Sequence, residues 1–477
     1  MNSMTQMPIT VQPYNHQQEA YIFALQQFGL LPATTHSRGV ALLMEMGTGK
    51  TLTAIGITGA LQAAGKIQRI LVVSPLSITS VWSEEFAKFA AYPYTLAVMA
   101  GTNEKKKKAL QGLPASSLSV AVINYESAWR LEKELAAWKP DLIICDEGHK
   151  IKSHNTSASK AMHRLGAIAK YRLLLTGTPI TNKAIDIFSQ YKFVNPMLYG
   201  QSFYSFRTRY FNMVGYGNHT PVMKHSMELE FTRKMHSIAY RATKAECLDL
   251  PETTDIIRPV QLEPAAMKLY KNLAEESFAE LSDGEVTATN VLTRLLRLSQ
   301  LTGGFICSDD SNKAEQVSNT KMSVLEDIVD SSIQEGKKLV IIARFVPELH
   351  AICKMLGKKG IRHSLIMGGV NDRGEQVAQF QNDPEVSVFV GQIATAGMGI
   401  TLTAASTMVF YSLDYSMSNF EQTKARIHRA GQKFPCTYLY LTAEGTIDIK
   451  VLEALKSKAN LAKTLVDDYR NGFNPFM

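Results

Sequence analysis

Three short segments carry residue types suited to phosphoryl chemistry. The first is Met46-Gly-Thr-Gly-Lys-Thr51. Gly47 and Gly49, on either side of Thr48, let backbone amides turn inward onto phosphate oxygens. A helix starting just after them adds free N–H groups and the positive end of its dipole. Lys50 would reach the β and γ phosphates, and the Thr51 hydroxyl would ligate Mg²⁺. The pattern G-x-x-x-x-G-K-[ST] asks for Gly at position 44, where this chain has Met44, so a plain Gly-rich turn stays open on this segment alone. The second segment, Leu142-Ile-Ile-Cys-Asp-Glu-Gly-His149, is an apolar run ending in adjacent carboxylates. Asp146 suits a Mg²⁺ ion held through its water shell, and Glu147 suits orienting and polarising an attacking water. A lone Asp-Glu pair would more often be a helix cap; its company with Lys50 and Thr51 favours catalysis. The third segment pairs Arg426 with Arg429, spaced for one face of a helix. Planar guanidinium groups suit bidentate phosphate binding and, as arginine fingers, stabilise transition-state charge. The plainer reading is an exposed basic helix face.

These groups need rigid elements to hold them. Up to about residue 195 the chain alternates short apolar runs with helical patterns: 40–44, 70–73, 119–123, 142–145 and 172–175, with helices expected over 51–64 and 80–89. Continuous apolar runs bounded by Gly, Pro or Asp read as strands buried on both faces of a parallel sheet. Residues 197–320 carry few strand-like runs and read as helices over 223–243, 264–281 and 291–301. Strand–helix alternation then returns with runs at 338–342, 362–366, 386–390, 408–411 and 437–441. The expected fold is α/β: lobe 1 over 1–196, a mostly helical insertion over 197–320, and lobe 2 over 321–477.

Composition sets outer limits. The chain has 477 residues, 45% hydrophobic and 20% charged, which suits globular domains and not a disordered chain. No apolar run approaches the roughly 18–20 residues of a membrane helix, and no Lys or Arg precedes Arg38, unlike a secretory signal. Five scattered cysteines without a C-x-x-C point to a reducing compartment and to neither a disulfide framework nor a zinc ribbon. The formal charge of +8 is a mild pointer to an anionic partner. Lys105–Lys108 reads as a basic loop, solvated or in contact with phosphate.

Read together, these segments resemble a known family. Asp146-Glu-Gly-His149 looks like the DEAH-type box of superfamily-two helicases, and its continuation through Lys150-Ile-Lys152 is closer to the Swi/Snf-type ATPases. Pro13-Tyr-Asn-His-Gln17 resembles the glutamine motif that contacts adenine. Leu71-Val-Val-Ser-Pro-Leu-Ser77, with Trp82 and Glu85 downstream, resembles motif Ia, and Arg172-Leu-Leu-Leu-Thr-Gly-Thr-Pro179 followed by Asn182 resembles motif III. Arg241–Pro251 resembles the bridge between lobes, and Leu295–Gln300 a helix of the Snf-type insertion. Lys338–Phe345, Thr395–Thr403 and Gln422–Gln432 resemble motifs IV, V and VI. The likeness runs from about 13 to about 450. Three departures stand out: Met44 for the first loop Gly, Gly148 for Ala, where little effect is expected, and Ala425 for Asp.

The resemblance implies two RecA-like lobes with parallel sheets separated by a helical Snf-type insertion. It implies ATP bound by Gln17, Met46, Gly47, Thr48, Gly49, Lys50, Thr51, Gly397, Gly399 and Gln422, and Mg²⁺ held by Thr51 and Asp146. His149, Thr176 and Thr178 would couple hydrolysis to motion, and Ser74, Pro75, Asn124, Tyr125 and Thr395 would face a phosphate backbone. ATP would close a cleft between the lobes and hydrolysis reopen it. The expected activity is DNA-dependent ATP hydrolysis driving translocation on double-stranded DNA, with remodelling of protein–DNA complexes or branched DNA. Alternatives are a strand-separating DNA or RNA helicase, the motor subunit of a restriction-type assembly, and an ATP-gated DNA-binding adaptor. Lobes and insertion use almost the whole chain, so the expectation is a compact bacterial or phage-type member. It would be a cytoplasmic, nucleoid-associated monomer, or one acting in an infected host cell, with no membrane partner.

Overall fold

The computed structural model describes residues 3–181, 183–214, 220–283, 288–307, 314–370, 372–396 and 399–462. The chain forms two compact units, one built on residues up to Asp249 and one on Leu250–Ser457.

The first unit is organised by strands β1 (Gly39–Met44), β2 (Arg69–Ser74), β3 (Thr95–Val98), β4 (Ser119–Asn124), β5 (Leu142–Asp146) and β6 (Tyr171–Leu175). A hairpin, β7 (Phe211–Val214) with β8 (Thr220–Met223), and a last strand, β9 (Ala239–Ala242), follow. Seven of these make one sheet in the order β3-β4-β2-β5-β6-β1-β9, parallel throughout. Strand side chains alternate between faces, so an apolar run supplies two cores. Ala41, Leu43, Leu71, Val73, Ile143 and Cys145 face one cluster; Val40, Leu42, Ile70, Val72, Leu142 and Ile144 face the other. Helices α1 (Asn15–Gln27), α2 (Lys50–Ala63) and α3 (Thr79–Phe89) supply Tyr21, Ile55 and Trp82 to the second cluster.

The second unit carries β10 (Thr253–Val260), the hairpin β11 (Phe305–Cys307) and β12 (Ala314–Gln316), then β13 (Lys338–Ala343), β14 (Arg362–Ile366), β15 (Val386–Gln392), β16 (Ala405–Phe410) and β17 (Cys436–Ala443). Its six-stranded parallel sheet runs β10-β17-β16-β13-β15-β14. Leu339, Ile341, Val388, Val390 and Val409 pack there on Leu325, Leu349, Ile352 and Leu356. The α/β class with two parallel sheets is the one expected.

The segment expected as a separate helical insertion divides instead between the two units. Residues expected as one helix over 223–243 form a helix, His225–Ser237, and then β9, which lies beside β1 with Ala41 opposite Ala239 and Met44 opposite Ala242. Ala-Tyr-Arg-Ala has little β-branched character, so pairing with a buried neighbour decides its conformation. Strand β10 pairs along all eight residues with β17, yet it is exposed over most of its length and contains Pro259, as suits an edge strand. Lys105–Lys108 is helical, not a loop: it lies within Asn103–Gln111, where the Thr102 hydroxyl caps the Lys105 N–H. Its cations are also divided, Lys106 bonding Ser127 Oγ at 2.6 Å and Lys107 pairing with Glu134 at 2.7 Å.

Candidate active site

The phosphate-loop segment leaves the carboxyl end of β1 and enters α2 at Lys50. Gly49 has φ +91, a left-handed conformation that side chains rarely adopt, and a Cβ there would fall 2.1 Å from Gln17 Nε2. Glycine is thus required twice, by backbone angle and by the approach of α1. Gln17 Nε2 donates to the Thr48 carbonyl at 3.0 Å, and His16 Nε2 lies 2.7 Å from the same oxygen. The residue expected to read adenine therefore also braces the loop. Lys50 Nζ donates to the carbonyls of Met44 at 2.8 Å and Glu45 at 3.3 Å, so the ammonium is held over the loop by neutral oxygens. Burial pushes its pKa down, against the pull of Glu147, Asp146 and Glu45.

Strand β5 delivers Asp146 and Glu147 at the same edge of the sheet. Both are buried. Asp146 Oδ2 accepts from Trp82 Nε1 and Oδ1 from the Glu147 N–H, each at 2.9 Å. Burial first, then the Glu147 charge, raises its pKa, while Lys50 and Trp82 pull it down. Glu147 sits at φ +51, an uncommon angle for a side-chain-bearing residue, and this turn brings its carboxylate to 3.2 Å from His149 Nδ1. Strained backbone at a pair of buried carboxylates is the mark of a site held for function. Thr176 follows β6, is buried, and accepts the Thr178 N–H at 3.2 Å. Asn182 lies outside the described residues.

Arg241 is a site residue that the motif reading named only as part of a bridge. It lies on β9, is 5% exposed, and donates Nη1 to the carbonyls of Leu43 at 3.0 Å and Gly177 at 3.3 Å. Its Nη2 meets Glu45 Oε1 at 3.1 Å, while the Lys244 N–H reaches Glu45 Oε2 at 2.9 Å. Arg241 thus ties the root of the phosphate loop to the segment after β6. An arginine within the largely apolar run Ala239-Tyr-Arg-Ala242 was the available signal. His16 was equally open to notice, one residue before Gln17.

Four of the residues expected to face a phosphate backbone lie in the first unit. Ser74, Pro75, Asn124 and Tyr125 do cluster at the ends of β2 and β4, but all are buried. The Tyr125 hydroxyl donates to the Asp146 carbonyl at 2.7 Å and Asn124 Nδ2 to Glu126 at 2.8 Å. The Tyr125 hydroxyl thus supports the backbone of the carboxylate pair. Gly148 also matters more than expected: a Cβ there would lie 2.4 Å from Leu174 Cδ1 in the core.

In the second unit, Arg426 and Arg429 do not share a helix face. The helix Met417–Lys424 ends before them, and they occupy the turns that follow. They converge all the same: Arg426 Nη1 and Arg429 Nη1 both donate to the Ile400 carbonyl, at 3.0 and 3.2 Å. Arg426 Nε also donates to the carbonyl of Gln422, a buried residue. Gln432 fixes this turn, its Nε2 donating to Ala405 and Ile427 carbonyls and its Oε1 accepting from the Lys433 N–H. His428 Nε2 lies 2.9 Å from the Pro251 carbonyl. Thr395 Oγ1 bonds Gln392 at 3.3 Å, and Gly399 has φ +74; Gly397 lies outside the described residues.

Hard oxygen donors at Thr51 and Asp146 fit Mg²⁺, and a cation would offset the crowding of two buried carboxylates. Among the described residues no cluster of three His, Cys, Asp or Glu could hold a metal alone, so such an ion would draw its other ligands from phosphate and water. No helix among them is long and apolar enough to cross a membrane.

A loop that presents Lys50 beside two buried carboxylates, on a parallel sheet, defines a nucleotide-binding α/β protein of the helicase-like class. Residues 14–306 match the SNF2-related domain and residues 320–431 the helicase conserved C-terminal domain, and the chain belongs to the SNF2-related family. It is 25% identical over 478 residues to the DNA repair and recombination protein RAD54-like of Drosophila pseudoobscura pseudoobscura, covering 90% of this chain and 61% of that protein. It is 26% identical over 482 residues to the DNA repair and recombination protein RDH54 of Saccharomyces cerevisiae (strain ATCC 204508 / S288c), covering 90% of this chain and 50% of that one. The chain thus spans half to three-fifths of the length of these relatives. The Sulfolobus solfataricus SWI2/SNF2 ATPase core in complex with dsDNA is 25% identical, with a TM-score of 0.47, over 96% of this chain and 94% of that one.

Proposed function

We propose that the protein is a DNA-dependent ATPase that translocates on double-stranded DNA and remodels protein–DNA complexes or branched DNA. The observation that carries this is the joint placement of Lys50, Asp146 and Glu147 at one edge of a parallel sheet in a SNF2-related chain. Relatives named for DNA repair and recombination, and a net charge of +8, support DNA as the track.

In this reading the triphosphate takes the Lys50 ammonium from the Met44 and Glu45 carbonyls, replacing neutral acceptors by charged ones. Glu147, beside His149, orients the attacking water and receives its proton. Mg²⁺, when bound at Thr51 and Asp146, supplies charge neutralisation. Arg426 and Arg429 stabilise charge on the transferred phosphoryl group, an assignment that rests on their pattern and shared approach to one carbonyl. Gln17, Met46, Gly47, Thr48, Gly49, Gly397, Gly399 and Gln422 complete the nucleotide contacts, and Thr176 and Thr178 the coupling. A compact bacterial or phage-type, monomeric, cytoplasmic protein belongs to the same reading and rests on the sequence alone.

The test is phosphate release with double-stranded, single-stranded and branched DNA and with RNA, alongside triplex displacement and strand separation. Stimulation by duplex or branched DNA with triplex displacement is expected. Stimulation by RNA alone, or unwinding without triplex displacement, would replace this reading with a strand-separating helicase.

A further inference from the structure

A second concentration of positive charge lies in the first unit, away from the phosphate loop. The amino end of β6, helix Ser157–Ile168 and helix Ile187–Val194 line an open cleft of about 350 Å³. Its wall includes Lys160, His163, Arg164, Arg172 and Lys192 and, among the described residues, no carboxylate. That volume falls in the range of small-molecule sites. Arg172 is 8% exposed, yet its buried Nε has no hydrogen-bond partner among the described residues. A buried guanidinium N–H left unmatched costs stability, and native chains tolerate few. Burial, then the charge of Arg38, lowers the Arg172 pKa. The His163 ring meets the Ser189 carbonyl at 2.9 Å; burial, with the charges of Lys192 and Arg164, pushes it down to about 4, so it is neutral near pH 7. Arg164 pairs with Glu132 and Lys192 with the Gln201 carbonyl, while Lys160 has no partner among the described residues.

We propose that this cleft binds a compact phosphate-bearing anion, with Arg172 as its buried anchor and Lys160 and Lys192 at its rim. Guanidinium and ammonium groups around a concave, carboxylate-free wall are the chemistry that recognises phosphate. The site is separate from the nucleotide. Arg172 lies opposite Gly39 at the start of β1, whereas the phosphate loop follows Met44 at its end, about 17 Å further along the strand. A phosphorylated small molecule and a DNA backbone phosphate share this chemistry; a volume of about 350 Å³ suits the former.

The test titrates inorganic pyrophosphate, without magnesium or nucleotide, by calorimetry into the full chain carrying Lys50→Ala, so that the phosphate loop does not report. Saturable binding is expected. Lys160→Ala or Lys192→Ala should each weaken it about tenfold, and Arg172→Met should abolish it. Lys160 is exposed, so its variant tests the site even if Arg172→Met fails to fold, and in the protein that retains Lys50 it should leave ATPase activity unchanged. Absent binding, or an affinity in Lys160→Ala and Lys192→Ala unchanged from that of the Lys50→Ala parent, overturns the proposal. A short DNA duplex that competes with pyrophosphate would identify backbone phosphate as the source; one that does not would identify a free phosphorylated compound.

Discussion

Asp146 and Glu348 are both buried carboxyl groups beyond the carboxyl ends of parallel strands, one in each unit, and burial raises the pKa of each. Their surroundings differ. Asp146 stands among charges, with Glu147 beside it, Lys50 opposing it and a strained turn following. Glu348 Oε2 accepts from the Arg344 N–H at 3.2 Å, the Phe345 N–H at 3.0 Å and the Ser412 hydroxyl at 2.5 Å. It caps helix Val346–Lys358 and fastens it to the segment after β16. Desolvation alone therefore does not mark a reactive site. What separates the two is whether the neighbours are charges that a substrate can rearrange or chain amides that fix a corner.

The largest effects should expose this difference in catalysis. Glu147→Gln and Lys50→Ala should each lower DNA-stimulated ATP hydrolysis on the order of 10²–10³-fold with the fold retained, whereas Glu348→Gln should stay within about threefold. Phosphate-release assays on the three variants decide it, and comparable losses in all three would break the comparison. Next comes the brace of the loop. Arg241→Ala removes the partner of Glu45 Oε1 and a donor to two carbonyls, so unfolding in urea should show a loss of about 3 kcal/mol, together with a raised KM for ATP. Unchanged stability and KM would remove Arg241 from the site.

The legible parts of this molecule were those whose cause is local. Apolar runs such as 142–145 and 386–390 have to be buried on both faces, and β5 and β15 fall on them within a few residues. Lys50, Asp146 and Glu147 were visible because phosphate chemistry restricts residue type and spacing together. The illegible parts depend on partners distant in sequence. β9 is a strand only because β1 lies beside it, and Arg241 acquires its role from Leu43, Glu45 and Gly177. No pattern within the segment around Tyr125 shows that the Asp146 carbonyl accepts its hydroxyl. The arginine pair was placed on a helix from its spacing alone, although the helix ends at Lys424.

A smaller effect concerns pH. Burial lifts Glu348 from an ordinary value of 4.5 to about 7, opposed by the Ser412 hydroxyl, the two N–H donors and the charge of Lys321. Lys321 is itself buried, pairs with Asp448 at 2.6 Å and donates to the Tyr411 carbonyl. Because the folded pKa exceeds the unfolded one, the folded state holds the proton more tightly. Its contribution to stability is fully present below about 4.5 and is lost as pH rises through about 7. Glu348→Gln carries no titrating proton, so the difference in unfolding free energy between variant and parent should change by on the order of 2 kcal/mol from pH 5 to pH 8. The shift should favour the variant at the alkaline end. A constant difference across that range would mean that Glu348 is charged in the folded protein and would move it nearer to Asp146 in kind.

The smallest effect sharpens what holds Glu147 in its turn. Gly148 follows the strained residue, and a methyl group there would lie 2.4 Å from Leu174 Cδ1 and 2.7 Å from its Cγ. Leu174 is fully buried on β6, so relief requires a rotamer change inside a packed core or a shift of the Glu147 backbone. Gly148→Ala should cost about 1 kcal/mol of stability. If the core yields, ATP hydrolysis is unchanged; if the turn yields, kcat falls while KM for ATP holds, because Glu147 acts on the water and not on nucleotide affinity. Replacing Leu174 by Ala in the same chain makes room for the methyl, and recovery of kcat in the double variant would show that the core sets the angle at which the carboxylate is presented. A kcat loss that the second change leaves untouched would place the control in the loop itself.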